Sequence, residues 1–247
     1  MAWFEDEDFW RDLYPYMFPV ERLAAAPEQV GQILALTGMQ AGNVLDLCCG
    51  PGRHAIEFAR QGFNVTAVDR SPYLLDRARD HAGAVEAAIE FVREDMRQFR
   101  RPGAFDLAVN MFTSFGYFED PEEELRVLRN VNESLRENGV FVMELLGKEY
   151  LAAHWVNSRC LDFADGTLLV QRAKVREEWT RVFCEWTVIR AGQARTHRFD
   201  HTIYSGRELK DLLRAAGFSQ VRLYGDLGGA PYGVDAQRLV AVARKSA

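Results

Sequence analysis

The sequence predicts an α/β fold with a doubly wound, Rossmann-like sheet of seven strands, mostly parallel, plus an inserted antiparallel β meander. Two observations predict the parallel part. Short apolar segments alternate with helical segments over about a hundred residues, which is typical of a parallel sheet with helices on both faces. A glycine turn, Gly50-Pro51-Gly52, also joins the first apolar segment to a helical one, as in the first half of a βαβ unit.

The alternating part of the chain supplies five strands and three helices. The strands are predicted over 44–49, 62–69, 91–96, 105–110 and 139–146. The helices that connect them are predicted over 55–60, 73–81 and 121–136. Asn138-Gly139 reads as a left-handed C-cap before the fifth strand. The second and third strands each end in an acidic residue, Asp69 and Asp95.

The pattern changes after about residue 159, where apolar and polar residues alternate. Segments 167–178, 180–190 and 194–205 are predicted to form an antiparallel meander with tight turns between them. Ser205, with Glu208 three residues later, is predicted to cap a helix over 206–216. Two final strands are expected over 220–224 and 238–243.

We expect a single domain of four parts. These are an N-terminal helical cap (1–36), a core (37–147), the antiparallel insertion (159–205), and a final helix and strands that rejoin the core (206–247). Residues 27–36 are predicted to be helical. The aromatic residues of the cap, which include Tyr14, require burial against the sheet, over the ligand crevice, or both.

Composition excludes several classes of function. No apolar segment approaches the roughly 20 residues that a membrane span needs. A formal net charge of −6 makes a nucleic-acid partner unlikely, because such proteins concentrate basic residues on one surface. The N-terminal residues do not resemble a signal peptide, so we expect a cytoplasmic protein. The four cysteines are not spaced like a zinc site, and we expect no metal.

The glycine turn is compatible with two kinds of cofactor. Gly50-x-Gly52-x-x-Ala55, with Asp69 about 20 residues later, matches the dinucleotide fingerprint and would permit an oxidoreductase that uses NAD(P). Asp46 favours another cofactor, since a carboxylate repels a pyrophosphate but attracts an ammonium group. The aromatic loop 112–118 likewise offers π faces to a sulfonium cation.

The segment 44–52, VLDLCCGPG, resembles the first motif of the class I S-adenosylmethionine-dependent methyltransferases. Asp69 is similar to their ribose-binding acid, Asp95-Met96 to their adenine-binding pair, and 135–141 to the turn before their fifth strand. Cys48 stands where the family often has glycine. The resemblance implies S-adenosyl-L-methionine as cofactor, and it implies that the last strand of the sheet, expected over 238–243, is antiparallel. The residues expected to bind it are Asp46, Cys48, Gly50, Gly52, Asp69, Arg70, Asp95, Met96, Asn110 and Met111.

The resemblance implies in-line methyl transfer to a nitrogen or oxygen of a small-molecule acceptor. A general base is needed only for an acceptor that is protonated at neutral pH, so no catalytic residue can be assigned. The candidates for the acceptor pocket are Tyr14, Phe112, Phe115, Tyr117, Glu144 and His201.

The resemblance also implies that the insertion covers the acceptor or forms a homodimer interface. Its basic cluster of Arg195, His197 and Arg198 could hold an anionic substrate. Three alternative functions remain open at this point. They are a methyltransferase for RNA or protein, an NAD(P)-dependent oxidoreductase, and a non-catalytic module that binds S-adenosylmethionine.

Overall fold

The computed structural model describes residues 2–246 and contains two β-sheets. The strands are β1 (Asn43–Leu47), β2 (Asn64–Asp69), β3 (Ile89–Arg93), β4 (Phe105–Asn110), β5 (Leu135–Leu145), β6 (Ser158–Asp162), β7 (Leu168–Arg176), β8 (Arg181–Arg190), β9 (Gln193–Thr202), β10 (Phe218–Tyr224) and β11 (Leu239–Lys245). The helices are α1 (Glu7–Met17), α2 (Val20–Ala24), α3 (Ala26–Thr37), α4 (Arg53–Arg60), α5 (Pro72–Ala84), α6 (Pro121–Ser134), α7 (Lys148–Ala153) and α8 (Gly206–Ala215).

The larger sheet has seven strands in the order β10-β11-β5-β4-β1-β2-β3. Strands β1 to β5 pair in parallel, whereas β11 is antiparallel to both β5 and β10. The strand order reverses at β1, which lies between β2 and β4. The predicted fold class is therefore confirmed, and its topological switch point lies at the carboxyl end of β1, where open α/β sheets bind ligands.

Several predicted boundaries shift in the structure. Strand β3 ends at Arg93, so Asp95 lies in the following loop and not at the strand end. Strand β5 begins at Leu135, and the expected left-handed residue, Asn138 (φ 60°), interrupts its early part. The capping box between Ser205 and Glu208 is present at the start of α8, as predicted.

The smaller sheet is antiparallel and contains four strands in the order β6-β7-β8-β9. Three of them correspond to the predicted meander. Strand β6 was not predicted, because its five residues are all exposed and carry no alternation of apolar and polar side chains. Ala191 (φ 50°) and Gly192 (φ 76°) form the tight turn between β8 and β9.

The N-terminal segment joins the two sheets. The carboxylate of Asp12 on α1 pairs with Arg195 and His197 of β9, each at 2.9 Å. The carboxylate of Glu7 on the same helix accepts from the hydroxyl of Ser71 at 3.0 Å, beside β2. Phe9, Trp10 and other aromatic side chains of the segment are buried between these attachments. The segment is thus held against both walls of the space between the sheets.

In the part of the chain covered by the structure, every helix is too short or too polar to cross a membrane.

Candidate active site

A narrow cavity of about 90 Å³ opens at the carboxyl ends of β1, β2 and β4. Of the residues expected to bind a cofactor, eight line it, namely Asp46, Cys48, Gly50, Asp69, Arg70, Asp95, Met96 and Met111. Aromatic side chains of the N-terminal segment, among them Trp10 and Phe18, also line it. We call this space the first cavity.

The glycine turn forms the floor of the first cavity with left-handed backbone at Cys48 (φ 62°), Gly50 (φ 55°) and Gly52 (φ 80°). Gly52 does not line the cavity. A Cβ atom at Gly52 would lie 3.0 Å from the Cβ of Ala78, so this glycine lets α5 pack against the turn. Cys48 adopts a conformation that favours glycine, and its Sγ lies 3.5 Å from Sδ of Met96.

Asp69 holds the turn in place. Its Oδ2 accepts a hydrogen bond from the backbone N–H of Gly50 at 2.8 Å, and its Oδ1 accepts one from that of Ser71 at 2.9 Å. Burial raises the pKa of Asp69 to about 6, although these backbone donors favour the ionised form. Each carboxylate oxygen keeps a lone pair for a ligand hydroxyl.

Asp46 is a buried carboxylate whose hydrogen bonds and neighbouring positive charge do not offset the cost of its burial. It is 2% exposed, and its Oδ2 has no hydrogen-bond partner among residues 2–246. Burial raises its pKa to about 7, while Arg53 and the backbone N–H of Ala55 act in the opposite direction. A group left in this state is costly unless a ligand supplies a donor or a positive charge. Asp46 is therefore suited to an ammonium group.

Asp95 is already engaged with arginine. Its two oxygens pair with Nε and Nη2 of Arg97 at 2.9 and 2.7 Å, and Nε of Arg70 lies 3.6 Å away. Burial raises the pKa of Asp95, but the hydrogen bonds from Arg97 outweigh this and hold it below the usual value. The carboxylate is thus ionised and fixed at the rim of the first cavity.

Asn110 supports the site from outside the cavity. It is 1% exposed, and its side-chain amide donates to the carbonyls of Leu47 (3.1 Å) and Ser114 (3.2 Å). It therefore connects β1 to the aromatic loop after β4. That loop is also held by Glu124, whose carboxylate accepts from the backbone N–H groups of Gly116 and Phe118.

A second, wider cavity of about 490 Å³ lies between the aromatic loop and the smaller sheet. Phe112 and Tyr117 line both cavities and form the wall between them. Phe112 (φ 62°) and Thr113 (φ 57°) have left-handed backbone, a strained arrangement that is concentrated at functional sites. The second cavity is rich in aromatic side chains, which include Trp3, Tyr150, Trp155, Trp186 and Phe199.

The predicted acceptor residues divide into two groups. His201 lines the second cavity, and burial lowers its pKa to about 4, so that it is neutral at pH 7. The hydroxyl of Tyr117 donates to the carbonyl of Thr113 at 3.2 Å, and burial raises its pKa, which disfavours it as a base. Glu144 lines neither cavity, but it supports the wall between them, because its Oε2 accepts from the N–H of Phe112 at 3.2 Å.

The structure does not bring the other two candidates to either cavity. Phe115 is 1% exposed and packs in the core against Tyr204. Tyr14 lies against Phe18 and Tyr73 and is not among the described residues that line the cavities. The aromatic loop turns the side chain of Phe115 into the core, whereas Phe112, Thr113, Ser114, Tyr117 and Phe118 line one or both cavities.

Sequence reasoning missed three arginines that lie at the wall between the two cavities. Arg53 follows the glycine turn directly and is 7% exposed, and its Nη2 has no partner within the described chain. Arg22 and Arg238 line the second cavity from distant parts of the sequence. Arg53 could have been predicted from the sequence, because it directly follows the glycine turn. Nothing in linear spacing connects the other two to the site.

Comparison with known proteins identifies the domain that contains the site. The sequence profile described as "Methyltransferase domain" matches residues 44–139, which contain the turn, Asp69 and Asp95. The matched segment is a methyltransferase domain of the class I S-adenosylmethionine-dependent type. It is an enzyme with S-adenosylmethionine as its cofactor.

Two curated relatives match most of this methyltransferase. The putative methyltransferase YqeM of Bacillus subtilis (strain 168) is 23% identical over 84% of this chain and 85% of its own. The dTDP-3-amino-3,4,6-trideoxy-alpha-D-glucopyranose N,N-dimethyltransferase of Streptomyces venezuelae is 28% identical over 83% of this chain and 87% of its own.

A solved structure confirms the fold. An S-adenosylmethionine-dependent methyltransferase from Clostridium acetobutylicum ATCC 824 superposes with a TM-score of 0.79 over 97% of this chain and 98% of its own, at 14% identity.

The residues present fit this cofactor. The unpaired Oδ2 of Asp46 suits its ammonium group, and the unpaired Nη2 of Arg53 suits its carboxylate. The remaining lone pairs of Asp69 suit its ribose hydroxyls. Opposite charges at Asp46 and Arg53 therefore match the two charged groups at one end of the cofactor.

Proposed function

We propose that this methyltransferase acts on a small molecule that binds in the second cavity and presents a nitrogen or oxygen atom to the methyl group. One observation carries the proposal: the second cavity is rich in aromatic side chains, is large enough for a small molecule, and shares a wall with the first cavity at Phe112 and Tyr117. The Streptomyces venezuelae relative, whose acceptor is an amino sugar, supports this class of acceptor.

In the proposed arrangement the cofactor occupies the first cavity, where its activated methyl group supplies the electrophile. Asp46, Arg53 and Asp69 bind its charged and hydroxyl groups. The N-terminal segment excludes water, since Trp10 and Phe18 line the cavity. Aromatic side chains of the second cavity hold the acceptor in line with the methyl group, and such orientation supplies a large part of the rate acceleration.

His201 has a defined role in this proposal. Its imidazole is neutral at pH 7, because burial and the nearby Arg181 lower its pKa to about 4. One ring nitrogen can then accept a hydrogen bond from an acceptor N–H or O–H group. We assign it orientation of the acceptor, since a base of so low a pKa removes protons poorly near neutral pH.

The test is a transfer assay with the purified protein and S-adenosylmethionine labelled in the methyl group. The acceptors are a panel of small amines and phenols, total RNA, and protein extract. Label on a small molecule supports the proposal. Label on RNA or protein alone contradicts it. The variant Asp46→Asn controls for transfer that does not depend on the first cavity.

A further inference from the structure

Three guanidinium groups surround the ring of Phe112. The Cζ atoms of Arg22, Arg53 and Arg238 lie 4.2, 5.1 and 5.7 Å from the centroid of that ring. They come from α2, from the start of α4 and from the loop before β11. The fold therefore brings three positive charges from distant segments to the wall between the two cavities.

Negative charge near this cluster does not balance it. Glu144 is 4% exposed, and its Oε1 pairs with Nε of Arg238 at 3.1 Å. Asp46 is the other carboxylate that acts on Arg53. Burial lowers the pKa of Arg53 to about 10 and also lowers that of Arg22, and in both cases neighbouring arginines add to the effect. Guanidinium groups gathered in this way need a further anion.

The two cavities divide the cluster. Arg53 lines the first cavity with Asp46. The carboxylate of the bound cofactor would neutralise the positive charge of Arg53. Arg22 and Arg238 line the second cavity together with Arg159 and Arg172, and Glu144 is the carboxylate that acts on Arg22 and pairs with Arg238. Arg22 uses one nitrogen to donate to the carbonyl of Met17. The charge left over therefore faces the acceptor and not the cofactor.

We propose that the methyl acceptor carries an anionic oxygen group, a carboxylate or a phosphoryl group, that binds between Arg22 and Arg238; this inference rests on the proposed function. Guanidinium groups suit such ligands because their N–H groups match the spacing of two oxygens. The anion would complete a cluster that the chain leaves with excess positive charge.

The basic cluster expected from the sequence does not have this role. Arg195 and His197 pair with Asp12, which docks the N-terminal helix α1, and Arg198 pairs with Glu185 at 2.9 Å. Acidic side chains of the same chain therefore already pair with all three of these basic residues. None of them lines the second cavity as the described residues form it.

The test measures ligand binding to the full-length protein saturated with S-adenosylhomocysteine. The probes are benzoate, phenyl phosphate and the neutral analogue benzamide, titrated by ligand-observed NMR. We expect at least one anion to bind roughly tenfold or more tightly than benzamide. The variants Arg22→Gln and Arg238→Gln should each remove that preference. Arg207→Gln, which removes an exposed charge on α8, should leave it unchanged.

A fourth variant distinguishes a specific effect on anion binding from misfolding, because it is expected to bind the anion more tightly. Glu144→Gln removes the competing carboxylate and frees Arg238, so it should strengthen anion binding several-fold. A purely structural role for these residues predicts no gain in affinity. The stronger of benzoate and phenyl phosphate also identifies whether the group is a carboxylate or a phosphoryl group.

Three results would overturn the inference. Equal binding of benzoate, phenyl phosphate and benzamide would remove the anion preference and leave the acceptor cavity in place. Failure of all three probes to bind would contradict the acceptor cavity as well. Loss of S-adenosylhomocysteine affinity by tenfold in both arginine variants, with no anion bound to the loaded wild type, would assign the cluster to the carboxylate of the cofactor.

Discussion

The backbone N–H of Gly50 donates a 2.8 Å hydrogen bond to Oδ2 of Asp69, and this bond joins the glycine turn to the end of β2. The two residues are 19 positions apart: Gly50 follows β1 and Asp69 ends β2, and these two strands pair in parallel. We propose that the carboxylate that shapes the turn also binds the ribose hydroxyls of the cofactor. Asp69 would then couple cofactor binding to the geometry of the turn.

Asp69→Ala is expected to weaken S-adenosylmethionine binding by roughly 10- to 100-fold, because hydrogen bonds to a charged group are worth about 1.5–3 kcal/mol. Isothermal titration measures the change. Asp76→Ala, at an exposed position on α5, is the control and should bind normally. Wild-type affinity in Asp69→Ala, with an unchanged circular dichroism spectrum, would contradict the assignment of Asp69 to the ribose.

Asp46 predicts a pH dependence of cofactor binding. Its pKa is about 7 in the cofactor-free protein, and the ammonium group requires the ionised form. Affinity should therefore fall as the pH drops below about 7, approaching tenfold for each pH unit. Asp46→Asn should bind the cofactor weakly at every pH. Its affinity should not show the decrease that begins near pH 7 in the wild type. Titrations between pH 5 and 8 test this, and a wild-type affinity that is constant over that range would contradict it.

The same residue predicts an opposite effect on stability. A carboxyl group whose pKa is raised on folding, here from 3.8 to about 7, stabilises the protein below the unfolded value, and this contribution is lost as the pH rises through 7. Asp46→Asn should therefore be more stable than wild type at pH 8, by on the order of 1–3 kcal/mol, with a difference that shrinks toward pH 5. Urea unfolding without cofactor measures it. A destabilised variant at pH 8 would show that the carboxylate is compensated in the folded chain.

Much of the fold followed from sequence because the parallel strands are short apolar segments separated by turn and cap signals. Asp46 and Asp69 were found because the glycine turn fixes their positions relative to it. Arg22 and Arg238 were not found, since they reach Phe112 through long-range packing that spacing does not encode. Strand β6 was missed because pairing with β7, and not its own side-chain pattern, makes it a strand.

Cys48 predicts a contrast between two substitutions. At φ 62° a β-branched side chain is strongly disfavoured, whereas glycine is not. Cys48→Val should lose about 2 kcal/mol or more, and Cys48→Gly should stay within roughly 1 kcal/mol of wild type, because relief of strain offsets the entropy of glycine. Thermal unfolding measures both. The control is Cys184→Val in β8, where a β-branched residue suits the strand. Equal stability of Cys48→Val and Cys48→Gly would mean that the turn is not strained.

The close contact of Gly116 with β9 leads to a prediction about the aromatic loop. It has φ 97°, and its carbonyl accepts from the N–H of Thr202 at 2.7 Å. A Cβ atom at this position would lie 2.5 Å from the carbonyl oxygen of Thr202, so either the loop or β9 must move. Gly116→Ala should therefore cost about 2–4 kcal/mol and lower methyl transfer, since the wall between the cavities belongs to this loop.

The matched control for Gly116 is Gly103→Ala. Gly103 also has positive φ (61°), but a Cβ atom there would meet no atom of the described chain within 4 Å. It reports the cost of the backbone conformation alone, about 1 kcal/mol. Urea unfolding of the two variants separates strain from steric conflict. Equal losses at Gly103 and Gly116 would show that the loop and β9 can separate freely, and the second cavity would then lack the fixed wall on which positioning of the acceptor depends.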